Sequence, residues 1–389
     1  MLISSSIFLS PFPQSDSFWE LPEEDKAIDQ VQEKRIHLGT LYYSQHQAEF
    51  LLTESNLYWV NVHKKVEKFC RVKWLFVFPF AEENFFGFTL LYGNTSQDFY
   101  TPDAEQLEIW IDALSKVCIL TNISEDLQEV RELSRGVFSR TNLMRSISGQ
   151  NFAVKSFAKS GNSGNFERLK NQIEIMRQIN HPNFVKLHSV YESRNYVHLV
   201  QDYLEGQDLF QKLVNEGPLS EKEAAKTMKQ VLECIVYLNS LNIAHRDIKL
   251  ENVFLLSQNV YQIKLLNLGL ACKNINEGQT EKCGSPGYIS PEILKGEPYY
   301  SKVDVFSAGI LLYTLLSGEM PFEVDNIQEA LLKNQEAQLN FGSWASNFES
   351  AIDLVTKMTL KDPGERISAQ EALEHPWIQE LNSLNDSSL

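Results

Sequence analysis

The residues best suited to chemistry lie in one short stretch, residues 243–252, which reads Ile-Ala-His-Arg-Asp-Ile-Lys-Leu-Glu-Asn. A carboxylate such as Asp247 can accept a proton. A lysine such as Lys249 can neutralise an anion, and an amide such as Asn252 can offer oxygen to a hard cation. Twenty residues after Asp247 comes a second polar group, Asn267-Leu268-Gly269. The function of the chain depends on what these two stretches can do together.

The spacing of His245, Asp247 and Asn252 resembles the catalytic loop of the protein kinase family. Its Asp-x-Lys form is typical of the Ser/Thr class. The resemblance implies that Asp247 accepts the proton of the substrate hydroxyl, that Lys249 steadies the transferring phosphoryl group, and that Asn252 holds a metal ion. It also implies that Asn267 stands where the family carries the aspartate of Asp-Phe-Gly. Mg²⁺ would meet an amide oxygen there, without the negative charge that an aspartate carboxylate supplies.

A second group of family motifs precedes the catalytic loop. Phe152-Ala153-Val154-Lys155 resembles the strand whose lysine grips the ATP phosphates, and the loop before it keeps one glycine, Gly136, of the usual three. Residues 197–204 resemble the strand and hinge that hold adenine. Asp208 would contact ribose or a basic substrate residue, with a helix-start acid as the alternative. The implied nucleotide-binding residues are Ser134, Gly136, Ser139, Ala153, Lys155, Asp202, Leu204, Asp208 and Phe254.

The helix that follows Lys155 carries Gln172 at the position of the lysine's glutamate partner. This position is counted back from the family-typical His181-Pro182, and Ile175 and Met176 follow on the same helix face. Glutamine can hydrogen-bond Lys155, but it cannot form the ion pair that an active kinase requires.

Motifs after the catalytic loop extend the resemblance to residue 379. Residues 283–292 resemble the end of an activation segment, in which Gly-Ser-Pro again indicates the Ser/Thr class. Thr280 is a candidate phosphorylation site, with an unmodified loop threonine as the alternative. The resemblance implies that Asp304 caps the catalytic-loop backbone and that Arg366 pairs with Glu292. Residues 374–378, Glu-His-Pro-Trp-Ile, match the end of a calcium/calmodulin-kinase-like domain.

The N-terminal region has a different pattern. Short apolar and aromatic runs from Ile36 to Tyr92 predict strands of a sandwich or partly closed barrel. A helix follows, with Thr101 as its expected cap and Trp110 on its apolar face. This order resembles a pleckstrin-homology domain over residues 35–120. That family often binds phosphoinositides through basic residues of its first loop, but residues 44–49 contain no Lys or Arg.

A basic cluster later in the same region includes Lys64, Lys65 and Lys68. It could attract an anionic membrane surface, at about 1 kcal/mol per basic residue. The alternative is a strand edge protected by charge.

Composition limits the remaining possibilities. The net charge of −16 argues against nucleic-acid binding. Five dispersed cysteines indicate reduced thiols in a cytoplasmic protein. Neither a membrane span nor a signal peptide is expected. We therefore expect a cytoplasmic protein, with peripheral membrane attachment as the alternative.

The predicted fold is a multidomain α+β protein. A pleckstrin-homology-like barrel capped by one helix comes first along the chain. A bilobal kinase fold follows it, with a small β-rich N-lobe and a large helical C-lobe. The boundaries are a flexible tail over 1–32, the barrel domain over 35–120, a linker over 121–127, the kinase domain over 128–379 and a C-terminal tail over 380–389.

Three functions remain open. In the leading interpretation the chain binds ATP, phosphoryl transfer to protein Ser/Thr is impaired, and the protein acts as a regulatory or scaffolding pseudokinase. Loss of one preorganised contact lowers a rate about 10²- to 10³-fold, and both Gln172 and Asn267 lack a charge. The second is an active ATP- and Mg²⁺-dependent Ser/Thr kinase. The third is a membrane or protein adaptor acting through the N-terminal domain. Expected partners are protein substrates or regulated kinases, and anionic membranes in the third case.

Overall fold

The computed structural model describes residues 6–8, 18–22, 26–43, 46–82, 85–92, 95–137, 139–159, 163–256, 262–322 and 326–383. The chain divides into two compact units. The first comprises Met1–Phe166 and Leu187–Tyr203, and the second comprises Glu167–Lys186 and Leu204–Leu389. Within these described ranges, no helix is both long enough and apolar enough to cross a membrane.

The first unit begins with a seven-stranded antiparallel sheet, because apolar runs alternate with polar turns along this part of the chain. The strands are β1 (Arg35–Tyr43), β2 (His46–Thr53), β3 (Asn56–Val60), β4 (Val66–Arg71), β5 (Phe76–Glu82), β6 (Phe85–Tyr92) and β7 (Thr95–Thr101). Their order is β4-β3-β2-β1-β7-β6-β5. Among the described residues, the edge strands β4 and β5 do not pair with each other. The α+β class is confirmed. The sheet is open between β4 and β5 in these residues, so the predicted barrel, expected to be at least partly closed, is not observed as a closed one.

Helix α1 (Ala104–Ser115) covers this sheet with its apolar face, and Trp110 is fully buried in the core. Asp103 caps the helix, since its side chain accepts a hydrogen bond of 2.8 Å from the Gln106 backbone N–H. The expected cap, Thr101, lies too far from the helix start. Its hydroxyl donates to the Asp103 carbonyl instead, at 3.0 Å.

Several residues of the predicted N-terminal tail pack on the sheet. Glu20 exchanges two backbone hydrogen bonds with Phe69 of β4, at 2.8 and 2.9 Å. Ile28 and Val31 are buried against the same part of the sheet. Residues 1–5, 9–17 and 23–25 lie outside the described residues, and the flexibility of the tail stays a prediction.

A second sheet completes the first unit. Its strands are β8 (Leu127–Arg135), β9 (Ser139–Ser146), β10 (Asn151–Ala158), β11 (Leu187–Glu192) and β12 (Tyr196–Asp202), in the order β11-β12-β10-β9-β8. The chain between the sheets pairs with both. Ile119 bridges to Phe76 of β5, and Leu120 bridges to Tyr191 of β11. The predicted linker then forms the short helix α2 (Ile123–Asp126).

The second unit is mainly helical. Its helices are α3 (Ser163–Gln178, all but the first turn), α4 (Leu209–Glu216), α5 (Glu221–Ser240), α6 (Pro291–Lys295), α7 (Lys302–Ser317), α8 (Ile327–Glu336), α9 (Glu349–Met358), α10 (Ala369–Leu373) and α11 (Pro376–Ser383). Its short strands are β13 (Gln207–Asp208), β14 (Ile243–Ala244), β15 (Val253–Leu255), β16 (Ile263–Leu265) and β17 (Cys272–Lys273). Helix α7 is buried almost throughout and supports the loops that carry the chemistry. Helix α11 enters the predicted C-terminal tail, of which residues 384–389 lie outside the described residues.

Candidate active site

Asp247 lies in the loop between β14 and β15, and a buried aspartate on helix α7 holds the backbone of that loop. Both Asp304 carboxylate oxygens accept 2.7 Å hydrogen bonds, from the backbone N–H groups of His245 and Arg246. Burial raises the pKa of Asp304, although His245 and these N–H donors act in the opposite direction. Arg246 has a positive φ of 64°, which is strained for a residue with a side chain. Asp304 thus satisfies the two donors that this tight turn would otherwise leave unpaired.

Asp247 is the centre of a hydrogen-bonded network. Its Oδ2 accepts from Asn252 Nδ2 at 2.8 Å, and its backbone carbonyl accepts from the same amide at 2.7 Å. Its Oδ1 accepts from the Ser285 hydroxyl at 2.7 Å, and Lys249 Nζ donates to Ser285 Oγ at 2.8 Å. Asp247 is 6% exposed. The carboxylate is therefore fixed from both sides and connected to a lysine through one serine.

Ser285 is a site residue that the sequence motifs do not identify, because within them it indicates only the Ser/Thr class. The available signal was the family pattern itself, since Ser285 lies between the turn glycine Gly284 and Pro286. Its distance of 38 residues from Asp247 along the chain hides the contact from any local pattern.

The loop after β16 brings Asn267 beside this network. Asn267 has a left-handed backbone with φ 63° and ψ 67°, and its Nδ2 lies 3.4 Å from Asp247 Oδ2. The loop is tied to the catalytic loop by the Leu266 N–H, which donates to the Asn252 carbonyl at 2.8 Å. It is also tied by His245 Nε2, 2.9 Å from the Leu266 carbonyl.

Gln172 on helix α3 approaches the same loop. It is 4% exposed. A Cβ added to Gly269 would lie 3.7 Å from Gln172 Oε1 and 3.3 Å from Asn267 Oδ1, so both amide groups border Gly269. Glu174, two residues further, forms an ion pair with Lys273. In the described residues, no group of three His, Cys, Asp or Glu side chains is arranged to hold a metal. The amide oxygens of Asn252 and Asn267 fit a hard cation by atom type, but they are neutral.

Two predicted residues of the first unit, Lys155 and Ala153, lie on β10. Lys155 pairs in register with Thr141 of β9 and Leu199 of β12, and its Nζ is 5.3 Å from the Phe157 ring centroid. The central strand of the sheet therefore fixes the backbone of the lysine.

The predicted phosphate loop lies where β8 turns into β9: Ser134 is near the end of β8, Gly136 is in the turn, and Ser139 begins β9. The Gly136 N–H donates to the Ser139 carbonyl at 2.8 Å. Gly136 is not among the residues with positive φ, and an added Cβ would meet ordinary contacts no closer than 3.5 Å. The turn itself therefore does not require glycine at this position.

Two of the remaining predicted nucleotide residues, Asp202 and Asp208, have hydrogen-bond partners of their own. Asp202, at the end of β12, lies 2.7 Å from His188 Nε2. In the second unit, Asp208 caps helix α4 by accepting from the Gln211 N–H at 2.8 Å, which is the alternative interpretation of this residue. Phe254 of β15 pairs with Asp208 of β13. Leu204 begins the part of the second unit that follows β12.

A buried ion pair supports the end of the activation segment. Arg366 Nη1 and Nη2 bond the two oxygens of Glu292 at 2.6 and 3.0 Å, and both side chains are buried. Ser290, just before helix α6, is buried as well. The bidentate geometry is the strong form of a charge-assisted hydrogen bond.

The predicted lipid-binding lysines already interact with the protein. Lys64 Nζ forms a 2.5 Å ion pair with Glu49. Lys68 Nζ lies over three aromatic rings, at 4.1 Å from the centroid of Trp59 and 4.9 Å from those of Trp19 and Tyr43. Lys65 lies opposite Ala27, which leads into the buried Ile28. The contacts of Lys64 and Lys68 compete with lipid for their ammonium groups.

Comparison with known proteins covers the second sheet and the helical unit. The family described as Protein kinase domain matches residues 127–378. Myosin light chain kinase A of Dictyostelium discoideum is 34% identical over 275 residues, which cover 68% of this chain and 92% of the relative. Calcium/calmodulin-dependent protein kinase type 1 of Caenorhabditis elegans is 35% identical over 251 residues, covering 63% of this chain and 72% of the relative.

A third relative is longer. Probable serine/threonine-protein kinase 2 of Plasmodium falciparum is 36% identical over 252 residues, which cover 64% of this chain and 49% of the relative. The chain thus spans about half the length of that protein. The match of residues 127–378, together with the arrangement around Asp247, shows that the chain belongs to the protein kinase family.

Proposed function

We propose that this protein transfers a phosphoryl group from ATP to Ser or Thr hydroxyls of protein substrates. The network around Asp247 is the observation that carries the proposal. Asn252 and Ser285 hold one oxygen each of the Asp247 carboxylate, as a general base requires for a fixed orientation. The relatives, named as Ser/Thr or calcium/calmodulin-dependent kinases, support the same activity.

Each residue has a defined task in this proposal. Asp247 orients the substrate hydroxyl and accepts its proton. Lys249 is connected to Asp247 through Ser285, and it neutralises charge on the transferring group. Lys155 holds the ATP phosphates. Asn252 and Asn267 would offer amide oxygens to Mg²⁺, which when bound neutralises phosphate charge.

The second candidate is a kinase fold with impaired transfer that regulates or scaffolds other proteins. Two neutral amides, Asn267 and Gln172, favour it, because the family has carboxylates at both positions. Each lost contact is expected to slow transfer about 10²- to 10³-fold. Turnover is favoured by the catalytic loop, in which the family's three residues Asp247, Lys249 and Asn252 are all kept.

We also propose that residues 35–120 form a pleckstrin-homology-like domain. The strand order of the first sheet and the terminal helix with the buried Trp110 support it. Membrane or protein binding through Lys64, Lys65 and Lys68 is the adaptor function that this domain suggests. The ion pair of Lys64 and the aromatic contacts of Lys68 argue against lipid binding by these lysines.

The decisive experiment measures incorporation of labelled phosphate into Ser/Thr peptides by the full chain, with Mg²⁺ and with Mn²⁺. The matched control is Asp247→Asn, which keeps the size of the side chain and removes its basicity. Turnover that falls about 10²- to 10⁴-fold in the control supports the proposal. Turnover equal in both proteins, or none in either, rejects it. Activity that appears only in the double variant Asn267→Asp, Gln172→Glu supports the second candidate.

A further inference from the structure

An exposed glutamate of the activation segment joins two elements of the second unit. Glu281 Oε1 forms an ion pair with Arg168 Nη2 of helix α3 at 2.5 Å. Its Oε2 forms another with Arg246 Nη2, in the catalytic loop, at 2.9 Å. One carboxylate therefore connects the helix that carries Gln172 to the residue next to Asp247.

The catalytic-loop side of this connection is buried and rigid. The Arg246 side chain is 5% exposed. Its Nε donates to the Leu270 carbonyl and its Nη1 to the Tyr299 hydroxyl, both at 2.7 Å. Within the described residues, Glu281 forms the only ion pair of Arg246. Removing this carboxylate would leave a buried guanidinium without an anionic partner, which is unfavourable.

The backbone around Glu281 is also fixed in place. Gln279 and Tyr299 exchange two backbone hydrogen bonds of 3.0 and 2.8 Å. The Tyr299 hydroxyl donates to the Glu281 carbonyl at 2.8 Å. The carboxylate therefore reaches the two arginines from an ordered backbone, so little further backbone entropy is lost in forming the ion pairs.

Glu281 is charged at neutral pH. Partial burial raises the pKa of its carboxyl, but Arg246 and Arg168 outweigh that effect and the pKa is lowered. In kinases whose activation loop is phosphorylated, the added phosphate orders the loop by pairing with arginines. Here an unmodified side chain already supplies an anion between two arginines.

We propose that Glu281 is a positioning residue that holds helix α3 and the catalytic loop together without phosphorylation of the activation segment. The proposal rests on the proposed phosphotransfer function for its effect on turnover. Thr280, the adjacent candidate phosphorylation site, is exposed, and its modification is not needed for the two ion pairs.

The structural test is backbone hydrogen exchange of the full chain. Glu281→Gln keeps the shape of the side chain and removes its charge. The control is Glu277→Gln, an exposed glutamate of the same segment that forms no ion pair among the described residues. We expect about tenfold faster exchange in residues 270–290 and in α3 for Glu281→Gln, and no change for the control. Equal exchange in the two variants would overturn the proposal.

A second variant covers the case in which Glu281→Gln fails to fold. Arg168→Gln removes only the exposed ion pair between α3 and Glu281, and it leaves Arg246 paired with Glu281. It should speed exchange in α3 while residues 243–252 keep their protection. Unchanged exchange in α3 would contradict the proposed connection.

The functional test compares phosphatase-treated proteins. We expect treatment to leave the turnover of the wild type unchanged, and Glu281→Gln to lower kcat about tenfold with Glu281→Asp partly restoring it. Loss of wild-type turnover on phosphatase treatment would show that phosphorylation, rather than Glu281, organises the segment. A wild type without turnover would reject the proposed function, and hydrogen exchange would still decide the role of Glu281.

Discussion

The catalytic loop and the loop after β16 differ in charge although they lie side by side. The first holds Asp247 with Lys249 near it, and the second presents the neutral Asn267. Backbone hydrogen bonds tie the two loops together through Leu266 and Asn252. The arrangement of the fold is therefore kept on both sides, while the charge expected for binding metal and phosphate is kept on one side only.

The largest expected effect concerns the support of the catalytic side. Glu292→Gln leaves the Arg366 guanidinium buried without a charged partner. Breaking one side of a buried ion pair costs about 3–5 kcal/mol in the free energy of unfolding. Urea unfolding of the full chain measures it. The control is Lys357→Gln, which removes an exposed pair with Asp353 and should cost less than about 1 kcal/mol. Equal losses of unfolding free energy in the two variants would mean that the buried Arg366–Glu292 pair stabilises the fold no more than an exposed pair does.

The comparison is tested most directly by restoring charge to the second loop. Asn267→Asp should raise kcat/KM about 10²-fold in Mg²⁺, because a carboxylate supplies the missing negative charge. Steady-state kinetics with ATP and peptide measure the change. Asn274→Asp is the matched control, since Asn274 also has a left-handed backbone, with φ 59°, and gives the same change in net charge. No increase with Asn267→Asp would show that the missing charge on the second loop does not limit turnover.

Ser285→Ala tests the catalytic side with a smaller change. It removes the hydroxyl that orients Asp247 and accepts from Lys249. Loss of a charge-assisted hydrogen bond of about 1.5 kcal/mol predicts a roughly tenfold lower kcat. Ser290→Ala is a suitable control, because the buried Ser290 hydroxyl has no hydrogen-bond partner among the described residues. A kcat that is unchanged by Ser285→Ala would remove Ser285 from the proposed machinery.

Gln172→Glu should have the smallest effect. It adds the charge that an active kinase places opposite its lysine, but Gln172 is almost fully buried. The desolvation of a new carboxylate offsets part of the gain. We expect an increase in kcat/KM of less than about tenfold by itself. A larger increase than that of Asn267→Asp would reverse the order of the two positions.

The family pattern predicts the local arrangement around Asp247 well. The Asp304 contacts with the catalytic-loop backbone and the Arg366–Glu292 pair are both present. Ser220 and Glu223 form a capping box at the start of α5, a motif of two residues three positions apart. These features depend on fixed spacing within a known family or on residues three positions apart.

Other contacts could not be predicted because their partners are distant in sequence. Trp19 packs on the first sheet through Tyr43 and Trp59, which no pattern near Trp19 indicates. Glu281 meets Arg168 across 113 positions. Thr101 and Asp103 are both good capping residues, and only the position where the helix starts decides between them.

The paired segment between the two sheets affects how the protein can be divided. Leu120 donates its N–H to the Val190 carbonyl and accepts from the Glu192 N–H, both at 2.9 Å. The family match begins at residue 127, downstream of this segment. A fragment cut there would leave the edge of β11 without its partner and expose apolar residues of the shared core, including Tyr191. A fragment that keeps this pairing must therefore begin upstream of Ile119, before the residues that the family match covers.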